Sequence, residues 1–558
     1  MIHLPPNLTC MKQILLSASL FIASVNSFAQ WNNNPSVNNL VSKENGEDYY
    51  PCPVSDAAGG SIIFFKNNNY IYVQKITSSG NIAWGDSTHP VPVSTAGSTY
   101  LHTAIPDGSG GAFVAWEDFR SSSSRQVYVQ HINNSGITLW INNGIKVADN
   151  ITYGNNGPIL CTDGAGGIFV EWITDNGFSI YQGMIQRING VGSILFGAGG
   201  IQVMTGAGLR FGGNMVSDGN HGAIIFLSDT RNDPHGLDYW DYAGHDPSNI
   251  DIYGQRIDSA GNRLWTNNGV TVSTAGGNQG EYSYNWAVTD GSGGAVIAFS
   301  DTRNFTGLPS RRDIYVQRLN AAGVNLWTQN GVAVSDNLSS RDLSSVTTDQ
   351  NGGIVICWMQ TVQDQIVHAQ RINSTGLAEW GANGAAVISS LSPSSPVVTG
   401  DSLGNYLFAF SCYDNLNHWA IRAQKLNTAG ALQWGITGVP VCSYPAWPTQ
   451  PAVCTSGNGA IVVWIDSRAQ GPTYGDLYSS RVLATGSLAS GLVSYTTIAN
   501  GNWNDPAIWS SGLVPSATSV VVINNAVTVS ANAVCYSLTT NSPGAVTVNA
   551  GIVLTVLH

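Results

Sequence analysis

Residues 315–327 read YVQRLNAAGVNLW. The phrase returns as YVQHINNSGITLW at 128–140, YGQRIDSAGNRLW at 253–265, HAQRINSTGLAEW at 368–380 and RAQKLNTAGALQW at 422–434. In strict register, Gln74, Gln130, Gln186, Gln255, Gln317, Gln370 and Gln424 each stand six residues before a glycine: Gly80, Gly136, Gly192, Gly261, Gly323, Gly376 and Gly430. Four residues further on comes Trp84, Trp140, Phe196, Trp265, Trp327, Trp380 or Trp434. Ahead of each phrase lies a second element, SDAAGG, PDGSGG, TDGAGG, SDGNHG, TDGSGG, TDQNGG, GDSLGN and, degenerate, CTSGNG, each followed by an apolar run. The result is eight units at intervals of about 50 to 70 residues, which marks a repeat architecture.

One unit holds four short strands. In the fifth they are GVTVS, YNWAVTD, GAVIAFSD and DIYVQRLN, parted by Gly, Asn and Asp turns. In Asp-x-x-Gly-Gly the Asp accepts backbone N–H bonds and the Gly supplies positive φ. No segment carries helical periodicity over ten residues. The expected fold is all-β: an eight-bladed β-propeller of four-stranded blades, with seven blades as the alternative. The recurrent Trp then wedges between blades. The eighth unit keeps Gly486 but lacks its Trp, and Trp31 lies 25 residues before Asp56, against 23 from Trp140 to Asp163. The N-terminal segment is therefore expected to complete the last blade and remove the open sheet edges.

Gly-x-x-x-Trp at a blade corner resembles the tryptophan-docking motif of eight-bladed quinoprotein propellers. The preceding Asp of that family sits one residue further from the Gly, and no quinone-site residue carries over. From Tyr495 the pattern changes, and GNWNDPAIWSSGLVP at 501–515 resembles a module of large secreted bacterial proteins of the type IX export system. Its segments VVVINNAVTVS, YSLTT, AVTV and IVLTV suggest the rungs of a β-solenoid or a small β-sandwich. The expected organisation is a signal peptide over 1–29, a propeller over 30–492 and a C-terminal β module over 493–558, the last read as truncated.

The signal peptide rests on MKQILLSASLFIASVNSFAQ from Met11, the expected true start. It has a cationic head, a short apolar core and a small-x-small cleavage site. No stretch is long enough to span a membrane as a helix. Only 10% of residues are charged, with a net charge of -12, and such a surface repels nucleic acid. The expected location is outside the cell or on its surface. Of the cysteines beyond the signal, Cys442 and Cys454 are the pair considered for a bridge.

Three features are candidates for chemistry. The turn aspartates are structural in the first reading and calcium ligands in the second, although each turn offers one carboxylate to an ion that takes six to eight oxygens. Asp-x-Arg recurs at Asp118/Arg120, Asp229/Arg231, Asp301/Arg303 and Asp466/Arg468. Residues i and i+2 share a strand face, so each pair can form a charge-assisted bond, while the four Arg together can hold a carboxylate or sulfate. In the fourth unit the connection after this motif runs nineteen residues, Asn232 to Ile250, against six, nine and seven in its three counterparts. It holds His235, Asp238, Tyr239, Trp240, Asp241, Tyr242, His245 and Asp246, suited to a cation, a stacked sugar or a partner surface. The His spacing matches no zinc motif.

H-E-x-x-H, the P-loop and the Rossmann glycine pattern are all absent. The favoured expectation is a non-enzymatic binding or adhesion propeller that contacts an extracellular glycan or protein through rim loops. The alternative is a glycan-active, sialidase-like hydrolase with two carboxylates at the propeller axis. The Asp-box of sialidases, however, puts its Trp three residues after the Gly, and here the interval is four.

Overall fold

The computed structural model describes residues 31–556 except 44–45, 121–123, 149–153, 176–180, 234–248, 281–284, 305–311, 336–340, 361–364, 414–417, 446, 469–474, 490–492, 511–513, 516–518 and 536, and the side chains of 101–102, 285, 341–342 and 493–494. Eight four-stranded antiparallel sheets form a ring of eight blades, not seven. Blade 1 is built from Asp48–Ser55, Ser61–Asn67, Tyr70–Ile76 and Val91–Ser94. Blades 2 to 7 repeat it over 99–146, 154–202, 210–273, 285–333, 341–388 and 394–442. Blade 8 takes three strands from Thr449–Ser456, Gly459–Asp466 and Asp476–Val482, and its outer strand from Asn39–Ser42. First strands of neighbouring blades lie against one another all round, blade 8 against blade 1 included, so they line the axis.

The second strands are buried along their whole length, as in Ala112–Asp118 and Ala223–Asp229. Both faces of such a strand are covered, so the sequence shows an unbroken apolar run and not an alternation. Alternate side chains serve opposite neighbours: Ala112, Val114 and Trp116 join the core shared with blade 1, and Phe113 and Ala115 that shared with blade 3.

The repeated phrase is a corner that locks one blade to the next. Gln317 is fully buried; its Oε1 accepts the Trp327 N–H at 3.1 Å and its Nε2 donates to the Thr328 carbonyl at 2.9 Å. The Trp327 ring then crosses to blade 6, where Nε1 donates to the Ser374 carbonyl, two residues before Gly376. The same bond runs from Trp84 to Asn134, Trp140 to Gly190, Trp265 to Ala321, Trp380 to Thr428 and Trp434 to Ala484. Phe196 fills the place between blades 3 and 4 without a donor. Trp31 completes the circuit: it is 3% exposed and its Nε1 donates to Ser78 at 2.8 Å, two residues before Gly80.

The corner requires glycine on two counts. Gly323 has φ +79°, and a Cβ there would lie 2.8 Å from the Trp265 ring. Gly323→Ala is expected to destabilise by about 1–3 kcal/mol, read as a lower denaturant midpoint; an unmoved midpoint would mean that the ring is not seated there.

The residue after each Gln is basic, and it reaches back to the turn aspartate of its own blade. The pairs Lys75–Asp56, His131–Asp107, Arg187–Asp163, Arg256–Asp218, Arg318–Asp290, Arg371–Asp349 and Lys425–Asp401 span 2.8–3.4 Å. The other aspartate oxygen accepts turn N–H groups, as Asp290 Oδ1 does from Ser292 and Gly294. Both oxygens of each such turn are thereby engaged by the scaffold.

The C-terminal segment is a parallel β-solenoid rather than a sandwich. Val493–Thr496, Ser519–Ile523 and Ser537–Thr540 stack in parallel, as do Gly501–Asn502, Ala526–Val529 and Ala545–Val548, with Ala533–Cys535 beside Leu554–Val556. The tryptophans of GNWNDPAIWSSG fill its interior: Trp503 and Trp509 are 0% and 1% exposed, with ring centroids 5.1 Å apart.

Cys442 and Cys454 form no bridge, and none of the seven described cysteines is in a disulfide. They belong to different cores: the Cys442 thiol accepts from Arg468, while the Cys454 thiol donates to Ser61 across the ring seam. Among the described residues no helix is long and apolar enough to cross a membrane.

Candidate functional site

The four Asp-x-Arg pairs close as ion pairs, at 2.5 Å for Asp229–Arg231, Asp301–Arg303 and Asp466–Arg468 and a close contact for Asp118–Arg120. Each guanidinium lies over a tyrosine of the next strand, two residues before the Gln or, in blade 8, before Ser480: Arg120 on Tyr128 at 4.0 Å, Arg231 on Tyr253 at 3.6 Å, Arg303 on Tyr315 at 3.8 Å and Arg468 on Tyr478 at 4.3 Å. The outer nitrogens donate to carbonyls of the scaffold: Asn143, Asn268, Asn330 and Val37. The structure therefore places the four arginines in four separate blades, each engaged with its own sheet. The tyrosine was the signal in the sequence that ties them to packing.

His235, Asp238, Tyr239, Trp240, Asp241, Tyr242, His245 and Asp246 lie outside the described residues. The base of their connection is fixed. Asn232 Nδ2 donates to Asp251 Oδ2 at 2.7 Å and to the Tyr253 hydroxyl at 3.0 Å, and the Asn249 N–H donates to Asp233 Oδ2 at 3.0 Å. Blade 5 uses the same clasp, Asn304 to Asp313 and Tyr315. Below it, Arg210 is fully buried and shares Asp229 with Arg231.

On this face of the ring, where blade 8 meets blade 1, the chain forms a pocket of about 220 Å³. Its walls include Glu47, Asp48, Tyr49, Trp447, Gln450 and Asp466. Blade 1 starts its inner strand with Asp48, whose Oδ1 accepts from Asn67 Nδ2 at 2.8 Å. A bulge follows, in which Tyr50 takes φ +53° ahead of Pro51, and the matching bulge of blade 8 gives Gln450 φ +51° ahead of Pro451. The two bulges are tied together, the Tyr50 N–H donating to Gln450 Oε1 at 3.1 Å. Trp447 stands on the connection from blade 7 and is 70% exposed.

Asp48 is 1% exposed, and besides Asn67 its carboxyl lies beside the Ser42 hydroxyl and the Leu477 N–H, with no cation paired to it among the described residues. Burial, aided by the nearby charge of Asp476, pushes its carboxyl up to about 7. Asp466 is held as a carboxylate partner of Arg468 and accepts from Trp464 Nε1 at 3.0 Å. An indole face, a phenol, an amide and carboxylates around one small concavity can stack on a ring and hydrogen-bond its hydroxyls.

Among the described residues of the eight inner strands only those of blades 1 and 6, which are not neighbours, carry an acidic residue, Asp48 and Asp342. Among the described residues no group of three or more His, Cys, Asp or Glu is gathered to hold a metal. A larger cavity, about 450 Å³, sits at the other end of the inner strands of blades 2 to 5, lined by Ile105, Leu160, Met215, Val216 and uncharged neighbours.

No family model matches the sequence. No curated protein matches it. Among solved structures, the chain is similar to the BP39L lectin from Burkholderia pseudomallei, at 10% identity and a TM-score of 0.42 over 69% of this chain and 96% of that one. It is also similar to an ulvan lyase, a polysaccharide lyase, at 11% identity and 0.41 over 72% and 96%. A Hadza microbial sialidase stands at 10% and 0.33 over 64% and 74%. None reaches a TM-score of 0.5, and the functional reading rests on the pocket alone.

Proposed function

We propose that this protein is an exported or surface-displayed propeller that binds a glycan without transforming it, through the face that carries the pocket between blades 8 and 1. The observation that carries the reading is Trp447: a 70% exposed indole beside a buried carboxylate and a bulge-positioned amide. An exposed indole face beside a polar concavity offers a sugar ring a stacking surface and its hydroxyls hydrogen-bond partners. The pocket is small, which suits one sugar unit with the rest of the chain lying across the rim. The connection between Asp233 and Asn249 leaves the same face of the ring, and its sequence carries Tyr239, Trp240 and Tyr242. Residues 11–29 and the resemblance of 501–515 to modules of the type IX export route support a location outside the cell.

The test is a glycan array followed by calorimetry on the wild type, Trp447→Ala and Trp240→Ala. Trp447→Ala is expected to weaken binding tenfold or more while leaving the unfolding midpoint in place. If no glycan class binds, or if Trp447→Ala binds as the wild type does, the reading fails. Shortened products on incubation with the bound oligosaccharide would favour the hydrolase instead.

A further inference from the structure

We propose that the pocket between blades 8 and 1 selects a sugar bearing a free ammonium group, a glucosamine-type unit, over N-acetylated or acidic sugars. This rests on the glycan reading above and names the ligand class.

Most of the molecule's other buried aspartates are paired with a cation of the chain. Asp118, Asp229, Asp301 and Asp466 each face an arginine, and seven turn aspartates each face Lys, His or Arg. Asp48 is as buried as these, yet among the described residues only neutral groups face it, the Asn67 amide, the Ser42 hydroxyl and the Leu477 N–H, and no cation of the chain pairs with it. A buried carboxyl without a counter-ion is disfavoured in its charged form, so such a group calls for an explanation. Asp48 lines the pocket, and a cationic donor entering there would supply what the other aspartates obtain from the chain.

The charged groups around it favour a cation. Glu47 and Asp466 line the same pocket, and the charge of Asp476 acts on Asp48 from the third strand of blade 8. Arg468 is spent on Asp466, and Lys66 lies 5.8 Å from the Tyr49 ring centre, on the adjoining strand of blade 1. An acidic sugar would add a negative charge to this set. An ammonium offers three donors and is attracted to the faces of Tyr49 and Trp447. Binding it also favours the ionised form of Asp48, so affinity should fall as the pH is lowered through about 7.

Calorimetry at pH 7 with the full chain decides the matter, using a glucosamine oligosaccharide, its fully N-acetylated counterpart, an oligogalacturonate and a short peptide ending in lysine. The glucosamine oligomer is expected to bind at least tenfold tighter than the N-acetylated one, with the oligogalacturonate weakest. In Asp48→Asn this preference should vanish. Equal wild-type affinities for the first two would overturn the ammonium assignment and leave the glycan reading standing. Binding of neither overturns both. Should the lysine peptide bind as tightly as the aminosugar, the sugar assignment is wrong. A preference that persists in Asp48→Asn places the recognition elsewhere. The wild-type ratio decides even if the variant does not fold.

Discussion

Removing residues 31–43 is expected to open the ring. The outer strand of blade 8 would be lost, because Asn39 and Leu40 pair with Ser479 and Tyr478. Asn38 would no longer donate to the Val441 carbonyl and the Ser480 hydroxyl, nor accept from Arg468. Trp31 would leave the seam beneath which Ile63, Phe65, Ile461 and Val463 share one core. Trp31→Ala alone should cost about 3–5 kcal/mol, and the deletion more. The third strand of blade 8 would then present a free edge, so association should accompany the loss of stability. Thermal unfolding and size-exclusion chromatography check both. A deletion variant that stays monomeric with its midpoint within about 2 °C of the wild type would show that the seam is not closed by this strand.

The second large effect concerns a single acid in the core. Glu171 stands opposite Ile159 on the second strand of blade 3 and enters the interface with blade 4. Its tip lies where a side chain on Gly213 would begin, 2.2 Å from the position of that missing Cβ. It is fully buried, and neither carboxyl oxygen has a hydrogen-bond partner among the described residues. One blade earlier Glu117 is equally buried, but it accepts from the Gly157 N–H at 2.8 Å and from Arg125 at 3.1 Å. With no such help, burial pushes Glu171 from 4.5 up to about 8.

The sign follows from linkage. Below pH 4.5 both folded and unfolded chains hold the proton and the full stability is present. Between 4.5 and about 8 the unfolded chain releases the proton while the folded one keeps it, so stability falls by about 1.4 kcal/mol per pH unit. Above 8 the loss is complete. Glu171→Gln should therefore be more stable than the wild type at pH 8 and nearly equal to it at pH 4, as read from denaturant midpoints. A stability difference of the same size at both pH values would mean that Glu171 does not titrate in this window.

The fold was legible because its unit recurs. Gln, Gly and Trp at fixed offsets are each demanded by one corner, and the missing Trp of the eighth unit points to Trp31. The basic residue after every Gln was equally visible as Lys75, His131, Arg187, Arg256, Arg318, Arg371 and Lys425, and it explains the turn aspartates better than a metal does. The Asp-x-Arg motif also carried its own answer in the tyrosine of the next strand. The pocket was not legible. Asp48 and Trp447 stand about 400 residues apart in sequence (from Asp48 to Trp447), and no local pattern joins them. Only ring closure brings them together. Repetition reveals the scaffold, whereas the seam between its first and last units is where the pattern says least.

The same seam has a mechanical consequence. Asn39, at the start of the N-terminal strand, faces Ser479, while Ser42, at its end, faces Leu477. The chain thus enters and leaves this ladder at one end of it, side by side. A pull on the two ends of the propeller loads the hydrogen bonds in succession, as a zip, and not all at once in shear. Whatever holds this protein by its terminal segments meets a ring that gives way at low force, one blade edge at a time.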